Sequence, residues 1–111
     1  MPVLSLRIDF EDGGRLGPGK ARLLECIAET GSISAGARAM GMSYKRAWDL
    51  VEETARLAGA PVVETRSGGA QGGGARLTET GERLLVTFRA IERAAAEAAA
   101  PLIAGLARPT T

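Results

Sequence analysis

Hydrophobic and polar residues alternate over residues 3–10, the first segment of the chain with a regular pattern. Its large apolar residues share one face of an extended chain: Leu4, Leu6, Ile8 and Phe10. This alternation predicts a half-buried strand. The following segment, EDGGRLGPG, contains four glycines and one proline and is interpreted as a turn.

A helix is predicted over about residues 18–30 because the signals at its two ends agree. Pro18 fits the first helical turn, where its missing N–H removes no hydrogen bond, and Gly31 is a suitable C-terminal stop. The apolar residues between them recur on one stripe: Leu23, Leu24, Ile27 and Ala28.

Two more helices are predicted, with a tight turn between them. Ser32 or Ser34 can cap a short helix that Gly41 closes, and Ser43 can cap a longer helix that runs to about Ala58. The positions of the longer helix that should face inward fall at helical spacing: Ala47, Leu50, Val51, Thr54 and Leu57. A short helix, a turn and a longer helix form a helix-turn-helix.

Two short strands and a long helix complete the pattern. VVETR and ARLT predict a hairpin whose tip, SGGAQGGG, contains five glycines. Thr78 or Thr80 can start the last helix, and Pro101 is expected to end or bend it. Its apolar residues recur at steps of four and three: Leu84, Phe88, Ile91, Ala95, Ala98 and Leu102.

The order of these elements predicts a mainly α fold with a small β-hairpin. It is a winged helix-turn-helix with an N-terminal strand and a long C-terminal dimerisation helix. We expect one DNA-binding domain over residues 1–105, including the last helix, and a flexible tail over residues 106–111.

The composition fits one domain and argues against several kinds of chemistry. The chain has 111 residues, 45% of them hydrophobic, which is enough for a single core. Cys26 is the only cysteine and there is no histidine, so an intramolecular disulfide and a cysteine-based zinc site are excluded. We therefore expect no enzyme, no cofactor and no metal. Without a signal peptide or a membrane span, the sequence predicts a cytoplasmic protein.

The net charge of +1 does not by itself indicate a binding partner. The distribution of the charges along the chain is more informative. No acidic residue lies between Glu29 and Asp49, whereas Arg38, Lys45 and Arg46 do. This local positive surface is typical of an anion-facing patch. Lys45 and Arg46 fall in the first turn of the third helix, where a recognition helix reaches bases and phosphates. The alternative is a solvated helix face.

Residues of the helix-turn-helix and of the hairpin are therefore candidate contacts to double-stranded DNA. Ser43 can offer its hydroxyl to a phosphate. Tyr44 either reaches the DNA or covers the core, and Trp48 is interpreted as a packing anchor between the second and third helices. Arg66 and Arg76 flank the glycine loop and are expected to contact phosphates, although a merely flexible loop is the alternative. The predicted DNA-binding residues are Ser32, Ser34, Ser43, Tyr44, Lys45, Arg46, Arg66, Gly72, Gly73 and Arg76.

Two segments resemble a known family. GSISAGARAMGMSYKRAWDLVEE and VVETRSGGAQGGGARLTETGERLL are similar to the N-terminal DNA-binding domain of the ModE-type molybdate-dependent transcriptional regulators, which are distant relatives of the LysR-type regulators. The specific features are Gly-Ser-Ile-Ser at the second helix, Ser-Tyr-Lys-x-Ala-Trp in the third, and the glycine-rich wing before Leu-Thr-x-x-Gly. The resemblance covers about residues 17–88.

The resemblance implies a sequence-specific transcriptional regulator that acts as a dimer on a palindromic operator near molybdenum-related genes. It also implies that the first strand, the first helix and the last helix contribute to the dimer. The predicted interface residues are Leu84, Phe88, Ile91, Ala95 and Ala98. The C-terminal oxyanion-binding modules of the family have no counterpart in these 111 residues, so no molybdate ligand is predicted and the effector stays open. The alternative function is a winged-helix protein-interaction module without specific DNA binding, which the near-neutral charge favours.

Overall fold

A computed structural model describes residues 2–66 and 74–107 of the chain. Four helices and four short strands follow one another in these residues as β1 (Ile8–Asp9), β2 (Arg15–Leu16), α1 (Pro18–Thr30), α2 (Ile33–Ala39), α3 (Tyr44–Ala58), β3 (Val63–Arg66), β4 (Gly74–Leu77) and α4 (Glu79–Ala107). The strands β3 and β4 pair antiparallel and form the wing. The predicted winged helix-turn-helix is therefore confirmed.

The N-terminal segment differs from its prediction, because it forms a hairpin rather than one strand over residues 3–10. The strands β1 and β2 pair antiparallel, with Ile8 opposite Leu16. Gly13 has a φ of 96° and makes the turn between them. Leu16 is buried, although the sequence placed it in the turn. Because β2 has only two residues, its sequence contains no alternation that could have indicated a strand.

The predicted ends of α1 and α3 are confirmed by their caps. Pro18 is the first residue of α1, and Gly31 ends this helix with a φ of 81°. The Ser43 hydroxyl caps α3 by accepting a hydrogen bond from the backbone N–H of Arg46 at 3.0 Å. Gly59 ends α3 with a φ of 79°. These left-handed conformations favour glycine because it has no Cβ.

Two groups of buried side chains hold the elements together. The larger core lies between α1, α2, α3 and the wing, and its buried members are Leu23, Leu24, Ile27, Ile33, Ala37, Ala47, Leu50, Val51, Val62 and Ala75. The smaller core joins β2, α1 and α4 through Leu16, Ala21 and Phe88. The predicted inward face of α3 is confirmed, because Ala47, Leu50, Val51 and Thr54 are all buried. Leu57, its fifth predicted member, is half-buried and packs against the smaller core.

The last helix, α4, continues past Pro101 to Ala107, so the proline does not end it. A proline inside a helix removes one hydrogen bond to the residue four positions earlier and crowds that carbonyl group. Residues 106 and 107 are helical, and residues 108–111 lie outside the described residues. Although α4 has 29 residues, neither it nor any other described helix is long and apolar enough to cross a membrane.

Phe88 belongs to the core of the protomer and is removed from the predicted dimer interface. Its side chain is 0% exposed, so it has no surface to offer to a partner. Leu84 is half-buried and packs against both cores. The predicted interface residues of α4 form an apolar seam along the helix, and the part of this seam that is free for a partner starts at Ile91, which is 39% exposed.

A charged cluster fixes α4 against α1. The Arg89 guanidinium donates two hydrogen bonds to the carboxylate of Glu25, at 3.0 and 2.9 Å, and a third to Glu92 at 2.7 Å. The two bonds from Arg89 hold the pKa of the Glu25 carboxyl below its usual range. Paired, two-pronged contacts of this kind define an orientation as well as adding stability. The direction in which α4 leaves the domain is therefore set by these side chains as well as by the core.

Gly81, in the first turn of α4, lies directly against the backbone of Val62, the residue before β3. A Cβ atom at this position would be driven into the carbonyl oxygen of Val62 and would lie 3.0 Å from the carbonyl carbon. The same carbonyl oxygen accepts a hydrogen bond from the backbone N–H of Thr78 at 3.0 Å. The hydroxyl of Thr78 donates to the carbonyl of Pro61 and accepts from the N–H of Gly81. The start of α4 is therefore held at a distance that only glycine permits.

Replacing Gly81 by alanine is expected to lower the free energy of unfolding by about 1–3 kcal/mol, because the added methyl group meets backbone atoms that cannot rotate away. Urea unfolding followed by circular dichroism measures the change. Gly19→Ala is the matched control, since a Cβ atom at Gly19 meets nothing within 4 Å. We expect it to change the unfolding free energy by less than about 1 kcal/mol and in the stabilising direction. Equal effects of the two substitutions would contradict this explanation.

Candidate DNA-binding surface

The helix-turn-helix consists of α2 and α3, and a close contact with α1 positions it. Gly36 of α2 lies against Ile27 of α1, where a Cβ atom would come within 2.8 Å of the isoleucine Cγ1. Gly41, with a φ of 69°, makes the turn between the helices. The backbone N–H of Met42 then donates to the carbonyl of Ala37 at 3.0 Å. These contacts hold α2 and the N-terminus of α3 in a fixed relation.

The first turn of α3 presents the predicted cationic side chains to solvent. Tyr44, Lys45 and Arg46 are all exposed. The Lys45 ammonium lies 3.2 Å from the carboxylate of Asp49, one helical turn later. Within the part of the chain that the structure describes, Arg46 forms no ion pair. The structure thus brings Ser43 and these three residues together at one helix end.

The serines of α2 have different roles from one another. Ser32, rather than Ser34, caps α2, because its hydroxyl oxygen accepts a hydrogen bond from the backbone N–H of Ala35 at 2.9 Å. Ser34 is exposed on the first turn of α2. A hydroxyl that accepts in a cap can still donate its own hydrogen to a phosphate oxygen. Both serines therefore remain chemically able to contact DNA.

The wing carries the other predicted cations. Arg66 and Arg76 are exposed on β3 and β4, and Arg76 lies opposite Glu64 with its Nε 3.3 Å from the glutamate oxygen. The backbone N–H of Ala75 donates to the carbonyl of Gly31 at 2.8 Å, which ties the wing to the end of α1. Gly72 and Gly73, which were also predicted to contact DNA, lie outside the described residues.

Tyr44 and Trp48 form a stacked pair on α3. Their ring centroids are 6.5 Å apart and their planes differ by 11°. Tyr44 is 55% exposed and Trp48 is 38% exposed, and neither ring belongs to the two buried cores. The two rings therefore stack on each other at the surface of α3, and the interpretation of Trp48 as a packing anchor between α2 and α3 stays a prediction. The sequence signal for this stacking is the spacing of four residues between Tyr44 and Trp48, which places both side chains on the same side of α3.

The chain is similar to known proteins over much of its length. The family model described as "Bacterial regulatory helix-turn-helix protein, lysR family" matches residues 19–82, more than half of the chain. The molybdenum-pterin-binding protein MopB of Rhodobacter capsulatus is 49% identical over 85 residues, which are 77% of this chain and 32% of MopB. MopA of the same organism is 39% identical over 107 residues, 96% of this chain and 40% of MopA.

A third relative is named as a transcriptional regulator. The DNA-binding transcriptional dual regulator ModE of Escherichia coli K12 is 46% identical over 71 residues, which are 64% of this chain and 27% of ModE. The chain thus spans well under half the length of each of these three relatives. The resemblance to the N-terminal domain of ModE-type regulators is confirmed.

The fold also matches a solved structure. The DNA-binding domain of CbnR, in the crystal structure of its complex with DNA, superposes with a TM-score of 0.61 at 19% sequence identity. The match covers 79% of this chain and 95% of the CbnR chain. At this identity the likeness establishes the winged-helix fold. The family match shows that the chain belongs to the lysR family of bacterial regulatory helix-turn-helix proteins.

Proposed function

We propose that this chain binds double-stranded DNA and is the DNA-binding part of a transcriptional regulator. The observation that carries the proposal is the first turn of α3, where Tyr44, Lys45 and Arg46 are exposed directly after the cap formed by Ser43. In helix-turn-helix proteins this end of the second helix enters the major groove. The exposed wing arginines add a second basic element, suited to the phosphates beside the groove. Such a protein acts in the cytoplasm, where bacterial DNA lies.

The positive charge is concentrated in one stretch of the chain. This supports DNA as a specific partner rather than nonspecific binding of anions. The chain as a whole has a net charge of +1, yet the stretch between Glu29 and Asp49 contains three cations and no acid. A specific duplex can place its phosphates against this stretch and keep them away from the acidic rest of α3. The relatives MopB and MopA are named molybdenum-pterin-binding proteins, which supports molybdenum-related genes as the targets.

A salt titration tests whether DNA is the partner. Binding of the whole chain to a labelled random-sequence duplex, measured by fluorescence anisotropy, is expected to weaken by at least about tenfold between 50 and 200 mM salt, because phosphate contacts release counterions. The control is the same titration with a chain in which Lys45 and Arg46 are alanine, whose affinity should be lower and less dependent on salt. Absence of binding even at the lowest salt concentration would favour the protein-interaction module instead.

The exposed part of α4 supports a homodimer on a palindromic operator. Beyond the small core, the apolar face of this helix continues through exposed or half-buried positions: Ile91, Ala95, Ala98, Leu102 and Leu106. Small residues among larger ones let a second helix approach closely. A two-fold dimer built on this face would present two copies of α3 to half-sites about 34 Å apart, one turn of DNA.

Replacing Arg66 and Arg76 together by alanine is expected to weaken binding by a similar factor for all operator variants and to reduce the salt slope by about 2, one unit for each lost phosphate contact. Arg66 should account for more of the loss, since Arg76 is already partly neutralised by Glu64. Affinities for a set of operator variants at several salt concentrations measure both effects.

The matched control removes two exposed arginines outside the wing and the helix-turn-helix, Arg7 and Arg93. This double variant has the same net charge as the wing variant but should keep most of the salt slope. A wing variant that prefers a different DNA sequence and retains the full slope would show that the arginines read bases, which contradicts their assignment to phosphates.

A further inference from the structure

We propose that Tyr44 and Trp48 form an apolar platform on α3 that reads the 5-methyl groups of thymines in the major groove. The platform would make thymine the preferred base at fixed positions of each half-site. This inference rests on the proposed DNA-binding function and specifies which base the recognition helix selects.

The two rings behave as one surface because they stack. They are one helical turn apart, their planes are nearly parallel, and both are accessible to solvent. A stacked aromatic pair has few side-chain torsions left to restrict, so it presents apolar area at a small entropic penalty. The platform therefore has a defined shape before any ligand binds.

Folding of the domain does not explain why these rings are exposed. The inward face of α3 is filled by Ala47, Leu50, Val51 and Thr54, and the rings lie outside that set. Two large aromatic side chains on a solvated helix face expose apolar area that monomeric proteins usually bury or use for binding. Because both are in the first two turns of α3, a ligand that covers them also covers the first turn of the recognition helix.

The charges around the platform identify nucleic acid as that ligand. Lys45 and Arg46 lie between the two aromatic residues in sequence, and no acidic residue precedes them back to Glu29. An apolar protein surface would have to bury the Arg46 guanidinium, which has no ion pair among the described residues, together with the Lys45–Asp49 ion pair, which is unfavourable. The major groove offers both components at once, since phosphates line its edges and the thymine methyl group is an apolar feature on its floor.

A uracil scan tests the proposal directly. The whole chain first selects duplexes from a random-sequence pool, and each thymine of the selected duplex is then replaced in turn by uracil, which removes only the methyl group. We expect binding to weaken about fourfold at one or two thymines of each half-site, the ratio that corresponds to burial of one CH₂-sized group. At all other thymines the replacement should leave the affinity unchanged.

Two variants decide whether the aromatic platform is responsible. In the double variant Tyr44→Ala with Trp48→Ala, the sensitive thymines should become insensitive to uracil, which is the coupling expected for a direct contact. Tyr44→Phe keeps the ring without the hydroxyl and should retain the sensitivity. Arg46→Ala is the control, because it should weaken binding to thymine and uracil duplexes by the same factor. Circular dichroism verifies that each variant is folded, as expected for side chains outside the cores.

Several outcomes would overturn the inference. One is a selected duplex in which no thymine responds to uracil, and another is a uracil effect that persists undiminished in the double alanine variant. Both leave DNA binding intact and so refute the platform alone. A pool from which the chain retains no DNA, even at low salt, would refute the proposed function together with the platform.

Discussion

Replacement of Phe88 by alanine is expected to lower the free energy of unfolding by about 3–5 kcal/mol, the range for loss of a fully buried aromatic ring. Phe88 is completely buried between Leu16 of β2 and Ala21 of α1. Half-buried side chains such as Leu57, Leu84 and Leu85 pack around this core, but they would close the space only in part, since a core relaxes incompletely around a deleted ring. Since domains of this size are stable by only about 5–15 kcal/mol, the substitution removes a large part of the total.

Urea unfolding followed by far-UV circular dichroism measures this change, and Val86→Ala is its control. Val86 lies on the same helix but is 65% exposed, so its truncation should change the unfolding free energy by less than about 0.5 kcal/mol. Amide hydrogen exchange should also show where the loss falls. Protection should decrease most in the hairpin of β1 and β2, whose Ile8 and Phe10 pack against the smaller core. A Phe88 variant as stable as the Val86 variant would contradict the assignment of this ring to the core.

The helix boundaries could be predicted from the sequence because they depend on local chemistry. Each cap is a contact between residues only a few positions apart, such as the Ser43 hydroxyl with the N–H of Arg46. The left-handed glycines that end α1 and α3 are equally local, since φ is a property of one residue. The first turn of α3 could be predicted for the same reason, as its exposed cations follow directly from the position of the cap.

The differences between prediction and structure at Phe88, Trp48 and Pro101 have separate physical reasons. The heptad-like spacing correctly placed Phe88 on the apolar face of α4, but spacing does not indicate whether Leu16 or a second protomer covers that face. The stacking of Trp48 on Tyr44 was not predicted, because Trp48 was interpreted as a packing anchor on the ground that base readout relies mainly on hydrogen-bonding side chains. Of the two outcomes predicted for Pro101, an end or a bend of α4, the end is contradicted, because the surrounding alanines favour the helix.

A glutamate on the exposed apolar seam of α4, which begins at Ile91, is expected to cause the largest loss of operator binding. A glutamate in place of Ile91 would bury a carboxylate in the proposed dimer interface, which is strongly unfavourable without a partner. The resulting monomer should bind an operator at least about 100-fold more weakly, because the second half-site no longer benefits from effective concentration. The domain itself should stay folded, since Ile91 lies beyond the buried members of both cores.

Ile91 also borders a groove of about 440 Å³ that Ile8, Phe10 and Leu84 line, so a second variant is needed to separate the dimer from the domain. Leu102→Glu is suitable, because Leu102 is 74% exposed and lies on the same face of α4, three turns further along. Both variants should give a folded monomer with lower operator affinity.

Val86→Glu is the control for these two variants, because Val86 lies about 140° around the helix from Ile91 when each residue turns the helix by about 100°. This variant introduces the same charge but should remain a dimer with full operator affinity. Sedimentation velocity at micromolar concentration gives the oligomeric state of all four chains. The proposed interface requires a dimer for the unchanged chain and for Val86→Glu, and a monomer for the two seam variants. An unchanged chain that sediments as a monomer would contradict the dimer, whereas seam variants that remain dimeric would place the interface on a different surface.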